Sequence, residues 1–140
     1  MQQLYNNIYV SGQINPQDFP ALQEAGIKVI INNRPDGEEP GQLDSAAAAE
    51  LAQQHGMQYH YLPMANGQPL PDNLVADFKA VVDSGDDKVL AHCRSGMRSS
   101  VLWALGQVAE GQVTVDEAIE AGQGAGIPLH NARPMLEAAR

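Results

Sequence analysis

The segment KVLAHCRSGMRSSVLWALGQVAE, residues 88–110, places a short apolar stretch, a glycine-containing loop and a longer apolar stretch in direct succession. The first stretch predicts a buried strand over 88–92, and the longer one predicts a buried helix over 98–110. A buried strand followed within a few residues by a buried helix is typical of a parallel sheet that is covered by helices on both faces. The segment therefore predicts an α/β fold.

The rest of the chain continues the alternation of strand-like and helix-like segments. Further strands are predicted at 7–10, 27–32 and 58–62, and helices at 15–26, 43–55, 72–84, from the Thr114-x-x-Glu117 capping box onward, and around Pro134. The pattern predicts a single domain over residues 1–140, with a central, mostly parallel sheet of about four strands flanked by helices.

Charge and cysteine content restrict the partners and cofactors. The formal net charge is −9 with only 8 Lys and Arg residues, which argues against binding to nucleic acid or to an anionic membrane. A single cysteine can form neither an internal disulfide nor a cysteine-rich zinc site, and it favours a reducing compartment, for which we predict the cytoplasm. The four histidines lack the spacing of a helical metal site, so we predict no metal and no cofactor.

Residues 93–98, which we call the cysteine loop, combine a thiol with groups that bind anions. Backbone N–H groups at the start of a helix attract an anion, and Gly96 permits the tight turn that such a loop needs. In this setting the pKa of Cys93 is predicted to lie below the ~8.5 of a free thiol. Arg98 adds a permanent charge and a two-pronged donor for an oxyanion. We therefore predict Cys93 as a nucleophile rather than an inert buried cysteine.

The neighbours of Cys93 are predicted to support this chemistry. Ser99 is expected to donate a hydrogen bond to the sulfur, and His92 is expected to support the loop through backbone hydrogen bonds rather than to act as a base. The candidate residues for binding the anion or the substrate are Arg94, Ser95, Gly96, Met97 and Arg98.

Residues 33–42, which we call the acidic loop, follow the buried strand 27–32 and should lie at the same edge of the sheet as the cysteine loop. Asp36, beside Glu38 and Glu39, is the candidate general acid, and the alternative is a turn role within Pro35-Asp36-Gly37. Arg34 is expected either to bind substrate or to form an ion pair with the two glutamates.

The stretch HCRSGMRSS resembles the signature of the protein tyrosine and dual-specificity phosphatases, with matches at His92, Cys93, Gly96, Arg98 and Ser99. Those phosphatases have five residues between the cysteine and the arginine. This chain has four, a spacing typical of rhodanese-type sulfurtransferases. Residues 4–110 are similar to the phosphatase-like domain of bacterial beta-lactamase-hydrolase-like proteins. The similarity is carried by the cysteine loop and by the stretches NIYVSGQINPQDFPALQEAGIKVIINNRPDGEEPGQ and YHYLPM. The resemblance implies a dual-specificity-phosphatase-like fold.

Three functions remain open, and an enzyme is favoured. Sulfur transfer from thiosulfate or a persulfide through a Cys93 persulfide is favoured first, because a loop shortened by one residue offers one N–H fewer to a phosphoryl group. It is also favoured because a general acid is missing from the loop 63–71. This loop has Asn66 where these phosphatases carry an acidic residue, and Asp72 is expected to cap a helix. The alternative is hydrolysis of phosphomonoesters through a phosphocysteine. A module that binds phosphate or sulfate without turnover is the third.

Overall fold

The computed structural model describes residues 1–140 and confirms the α/β class. Its strands β1 to β5 are Gln2–Tyr5, Ile8–Ser11, Ile27–Asn32, Gln58–Tyr61 and Lys88–His92. Its helices α1 to α6 are Phe19–Glu24, Ser45–Gln54, Leu74–Val82, Met97–Ala109, Val115–Gly124 and Arg133–Ala139. Short 3-10 turns precede α1 and α6. None of the helices has the length and apolarity needed to cross a bilayer.

The sheet has five strands in the order β1-β2-β5-β3-β4. The strands β2, β5, β3 and β4 run parallel, as predicted, and β1 adds an antiparallel edge that was not predicted. Its sequence, QQLY, has no alternation of apolar and polar residues that would predict a strand, and Leu4 is its only buried side chain.

Both faces of the sheet are covered, and successive side chains of the central strands point to opposite faces. In β5, Val89 and Ala91 join the larger hydrophobic cluster, which is formed with helices α3 to α6. Leu90 joins the smaller cluster with α1 and α2. This two-sided burial explains the uninterrupted apolar runs that predicted β3 and β5.

The helix ends differ from the predicted bounds by a few residues. Helix α2 begins at Ser45 rather than residue 43, because the Asp44 side chain accepts a hydrogen bond from the Ala47 N–H and caps the helix. Helix α3 begins at Leu74 after Asn73, so the prediction that Asp72 caps this helix is wrong. The Thr114 capping box of α5 is confirmed.

The parallel strands β2, β3, β4 and β5 end at the same edge of the sheet, at Ser11, Asn32, Tyr61 and His92. The loops that follow them therefore meet there. The cysteine loop leaves the centre of this edge, since β5 lies between β2 and β3. The candidate site is thus built where open α/β sheets place their ligands.

Candidate active site

The Cys93 sulfur lies at the bottom of the cysteine loop, where the residue is 1% exposed. The Gly96 N–H donates a hydrogen bond to Sγ at 3.1 Å. Burial alone would raise the pKa of the thiol, but the backbone N–H groups of Ser99, Ser95, Gly96 and Arg98 favour the thiolate, and the pKa of Cys93 is lowered from its ordinary value. The loop thus stabilises a negative charge on a sulfur atom at the start of α4.

Two glycines allow this loop to close. Gly96 has a φ of +96°, a left-handed conformation that favours glycine. Gly12, directly after β2, approaches the loop so closely that a Cβ atom on it would lie 2.7 Å from the Arg94 carbonyl oxygen. Alongside it, the Cys93 N–H donates to the Ser11 carbonyl at 3.3 Å. Gly12 was not among the predicted site residues, because a close backbone approach between residues 82 positions apart leaves no local pattern.

The Arg98 guanidinium lies in the first turn of α4 and is held from one end. Its Nη1 donates to Glu38 Oε2 and to the Met64 carbonyl, each at 2.8 Å, and its Nη2 donates to Glu38 Oε1 at 2.8 Å. These bonds use three of the five N–H donors of an arginine. The two that remain, on Nε and Nη2, form the parallel side edge of the group, which suits two oxygens of one anion.

The side edge of Arg98 and the sulfur belong to the same site. Glu38 raises the pKa of Arg98 most, and the charge of the neighbouring Cys93 raises it further. A sulfur whose negative charge is favoured and a two-pronged oxyanion donor are therefore neighbours at the start of α4.

Glu38 lies between two buried arginines. Its Oε1 also accepts a hydrogen bond from Arg34 Nε at 2.9 Å. The hydrogen bond from Arg98 lowers the pKa of Glu38 most, and the bond from Arg34 lowers it further. Together they outweigh partial burial, which would raise it, and the pKa of Glu38 is about 2. Glu38 is therefore a carboxylate at neutral pH and does not supply a proton in this arrangement. The sequence placed it among the acidic residues of its loop but did not predict its bond to Arg98.

Arg34 adopts the second of its two expected roles. It is 2% exposed and pairs with Glu38 and, through Nη2 at 2.8 Å, with Glu39. Its Nη1 donates to Gln13 Oε1 at 3.1 Å. All three nitrogens of the guanidinium therefore bind the protein, so the expectation that Arg34 binds substrate is replaced by an ion pair that anchors the acidic loop.

Asp36 also has a structural role in this conformation. Its Oδ1 accepts from the Ser45 N–H at 2.8 Å and its Oδ2 from the Ser45 hydroxyl at 2.7 Å, so the side chain ties the loop to the first turn of α2. Gly37, with a φ of +77°, completes the turn that the sequence offered as the alternative. Both carboxylate oxygens are engaged away from the cysteine loop, and the interpretation of Asp36 as a general acid is therefore corrected to that of a loop anchor.

The Ser99 hydroxyl does not donate to the sulfur as predicted. It donates to Asn33 Oδ1 at 2.7 Å, and it is the Ser99 backbone N–H that favours the thiolate. Asn33 is fully buried, and its Nδ2 donates to the Leu62 carbonyl at 2.7 Å. Asn33 therefore joins the ends of β3, β4 and α4. Asn33 was not among the predicted site residues, since its partners are distant in the chain.

His92 supports the loop through its main chain. Its carbonyl accepts from the Asn33 N–H at 2.8 Å, whereas neither ring nitrogen has a hydrogen-bond partner. Burial lowers the pKa of His92 to about 4, although the nearby Cys93 backbone acts in the opposite direction. The ring is therefore neutral at physiological pH.

The remaining candidates lie at the rim. Arg94 has a side chain that is 71% exposed, and its Nε is 3.4 Å from Glu39 Oε1. The Ser95 hydroxyl accepts from the Met97 N–H at 3.4 Å, which helps to form the turn into α4. Asn66 is exposed on the loop 63–71, whose contact with the site is the Met64 carbonyl. No group of three or more His, Cys, Asp or Glu side chains is placed to hold a metal ion.

Comparison with known proteins assigns the chain to a family. Residues 1–110 match the family described as beta-lactamase hydrolase-like protein, phosphatase-like domain. The chain belongs to this family. A beta-lactamase hydrolase-like protein of Xylella fastidiosa (strain 9a5c) is 34% identical over 128 residues, which are 91% of this chain and 30% of the relative. The chain thus spans 30% of the length of that curated relative.

Solved structures support the same assignment. A candidate phosphatase of Neisseria meningitidis Z2491 is 36% identical, with a TM-score of 0.88 over 99% of this chain and 97% of the other. A kinase associated phosphatase with its catalytic-site cysteine replaced by serine has a TM-score of 0.69 at 19% identity, over 98% and 94% of the two chains. The second likeness concerns the fold alone. The predicted phosphatase-like fold is confirmed.

Proposed function

We propose that residues 1–140 act as one cysteine-dependent phosphatase domain. The observation that carries this proposal is the pairing of a stabilised Cys93 thiolate with the unused side edge of Arg98. Membership of a phosphatase-like family and the likeness to the Neisseria protein support a phosphate as the anion. This choice replaces sulfur transfer, the function favoured from the sequence, as the first candidate.

The proposed reaction has two steps. The Cys93 thiolate attacks the phosphorus atom, the S–P bond forms, and the P–O bond to the leaving group breaks with its electron pair on oxygen. Water then attacks the phosphocysteine, the S–P bond breaks, and inorganic phosphate leaves with the thiolate restored. The backbone N–H groups of the loop and the side edge of Arg98 would bind the oxygens of the phosphoryl group in both steps.

The leaving group bears on the choice of substrate for the assay. Glu38 is ionised and Asp36 is bonded to Ser45, so neither is arranged to protonate a departing oxygen. Proton donation contributes about 10²–10⁴-fold in enzymes that use it. An aryl phosphate, whose leaving phenolate is stable without a proton, is therefore the appropriate first substrate.

The test is to mix the purified protein with an aryl phosphate, quench in acid and locate any added phosphoryl group by peptide mass spectrometry. We expect release of the phenol and a phosphoryl group on the peptide that contains Cys93. Absence of both phenol release and phosphocysteine would overturn the proposal.

Sulfur transfer is retained as a second candidate because of one feature, the four residues between Cys93 and Arg98. A parallel incubation with thiosulfate distinguishes the two chemistries. Gain of one sulfur atom on Cys93, with release of sulfite and no hydrolysis of the aryl phosphate, would favour this candidate over the first.

A further inference from the structure

We propose that Glu38 is a positioning residue, which orients Arg98 so that its side edge faces the anion bound above Cys93. The inference rests on the proposed function for its role in turnover, but its effect on anion binding can be measured without any turnover. Glu38 is not expected to touch substrate; it acts through Arg98.

The hydrogen bonds of Arg98 fix its orientation. Glu38 accepts end-on from both Nη atoms of Arg98, and the Met64 carbonyl accepts the second proton of Nη1. An arginine side chain has several rotatable bonds, and holding it in one orientation costs entropy unless a partner fixes the planar group. The carboxylate and the carbonyl together fix both the tilt and the rotation of the guanidinium, which leaves only the Nε–Nη2 edge for a ligand.

The charge of Glu38 also keeps Arg98 in place. Arg34 and Arg98 are 2% and 5% exposed, and Glu38 Oε1 lies between them at 2.9 Å from Arg34 Nε and 2.8 Å from Arg98 Nη2. Two buried cations that share no counter-ion would repel each other and favour a displaced Arg98. The Glu38 carboxylate offsets this repulsion and keeps Arg98 beside the sulfur.

The acidic loop is anchored on both sides of Glu38. Asp36 bonds to Ser45, its N–H donates to the Tyr61 hydroxyl at 2.9 Å, and Gln42 Nε2 donates to the Pro35 carbonyl at 3.0 Å. Glu38 is therefore presented to Arg98 by a loop that is hydrogen-bonded to α2, to β4 and within itself. This arrangement is organised before a ligand arrives, as electrostatic stabilisation requires.

Glu39 provides a matched control. It lies on the same loop, carries the same charge and also pairs with Arg34, but its second neighbour is the exposed Arg94 rather than Arg98. A change at Glu39 therefore alters the charge and bonding of the loop without removing a bond to Arg98.

The experiment compares Glu38→Gln and Glu39→Gln with the unchanged protein. The affinity for inorganic phosphate is measured by titration calorimetry, and kcat/KM is measured with an aryl phosphate. We expect Glu38→Gln to weaken phosphate binding by about 10-fold or more and to lower kcat/KM by about 10²-fold. Glu39→Gln should change each by less than about 3-fold.

A double-mutant cycle separates positioning from a general structural effect. Lysine at position 98 has no planar group for Glu38 to orient. In an Arg98→Lys background, Glu38→Gln should therefore lower phosphate affinity and kcat/KM by a clearly smaller factor than it does beside Arg98, because only the charge repulsion with Arg34 remains. Equal losses from Glu38→Gln in both backgrounds, or equal losses from Glu38→Gln and Glu39→Gln, would overturn the inference.

Two further readouts keep the test decisive. If Glu38→Gln does not fold, as judged by thermal unfolding, Glu38→Asp retains the charge but is too short to reach both arginines, and the same cycle is measured with it. If the unchanged protein binds phosphate but hydrolyses no phosphate ester, the proposed function fails, whereas the binding cycle still decides the role of Glu38.

Discussion

The cysteine loop and the acidic loop lie at the same edge of the sheet but differ in how their roles are encoded. In the cysteine loop, the groups around the sulfur come from residues within six positions of it: the N–H groups of Ser95, Gly96, Arg98 and Ser99. In the acidic loop, the partners of Asp36 and Glu38 are Ser45 and Arg98, 9 and 60 positions away. Local chemistry can be predicted from spacing, but long-range pairing cannot.

This contrast explains which residues were misassigned. Three acidic residues within four positions, next to a predicted anion site, are compatible with proton donation, with repulsion of the ligand or with neutralisation of arginines. The choice depends on whether each carboxylate meets Ser45, Arg34 or Arg98, which only the folded chain determines. The following predictions test whether the two loops divide the work in this way, with chemistry in the cysteine loop and support in the acidic loop.

The largest effect is expected from Cys93→Ser. A serine hydroxyl is not ionised in a site that stabilises a thiolate, so kcat/KM with an aryl phosphate should fall by about 10³-fold or more. Affinity for inorganic phosphate should be retained or increased, because the change removes a negative charge beneath the ligand. Calorimetry and steady-state kinetics measure the two quantities. Substantial turnover in this variant would place the nucleophile elsewhere and remove the contrast between the loops.

The next effect concerns Asn33, which connects the two loops. Asn33→Ala leaves the Ser99 hydroxyl and the Leu62 carbonyl without their buried partner, so we expect a loss of about 2–3 kcal/mol in the free energy of unfolding. Ser99→Ala should cost about 1 kcal/mol, and the two changes should not be additive. Denaturant unfolding of both single variants and the double variant measures this. Full additivity would show that the Ser99 hydroxyl has another partner, such as the sulfur that the sequence suggested.

The extent of sequence-based prediction follows the same division. The strands β2 to β5, the long apolar helix and the lowered pKa of Cys93 were predicted, because each depends on nearby residues or on the spacing of apolar residues along the chain. The edge strand β1, the approach of Gly12 to Arg94 and the links made by Asn33 were not predicted. Each of these depends on contacts between segments that the fold brings together from distant parts of the chain.

A moderate effect is expected on acid stability. The folded pKa of Glu38 is about 2, below its ordinary 4.5, so the stability that it contributes is complete above pH 4.5 and is lost as pH falls toward 2. In Glu38→Gln, the pH dependence of the free energy of unfolding should be weaker within that window. Denaturant unfolding across the window measures it, with Glu50→Gln on the exposed side of α2 as the surface control. The same slope in both variants would contradict the assigned pKa of Glu38.

The smallest effect on turnover is expected from Asp36→Asn, and it is the sharpest test of the acidic loop. Because both Asp36 oxygens accept from Ser45, the change should lower the free energy of unfolding by about 1 kcal/mol while kcat/KM with an aryl phosphate stays within about 3-fold. Ser45→Ala removes one of the same bonds, so it should lower stability similarly, and the double variant should lose less than the sum. A fall of about 10²-fold in kcat/KM for Asp36→Asn, together with loss of the alkaline limb of the pH profile, would instead identify Asp36 as the general acid. Since Ser45→Ala frees the carboxylate without removing it, that variant would then keep its activity, and the acidic loop would share the chemistry rather than only support it.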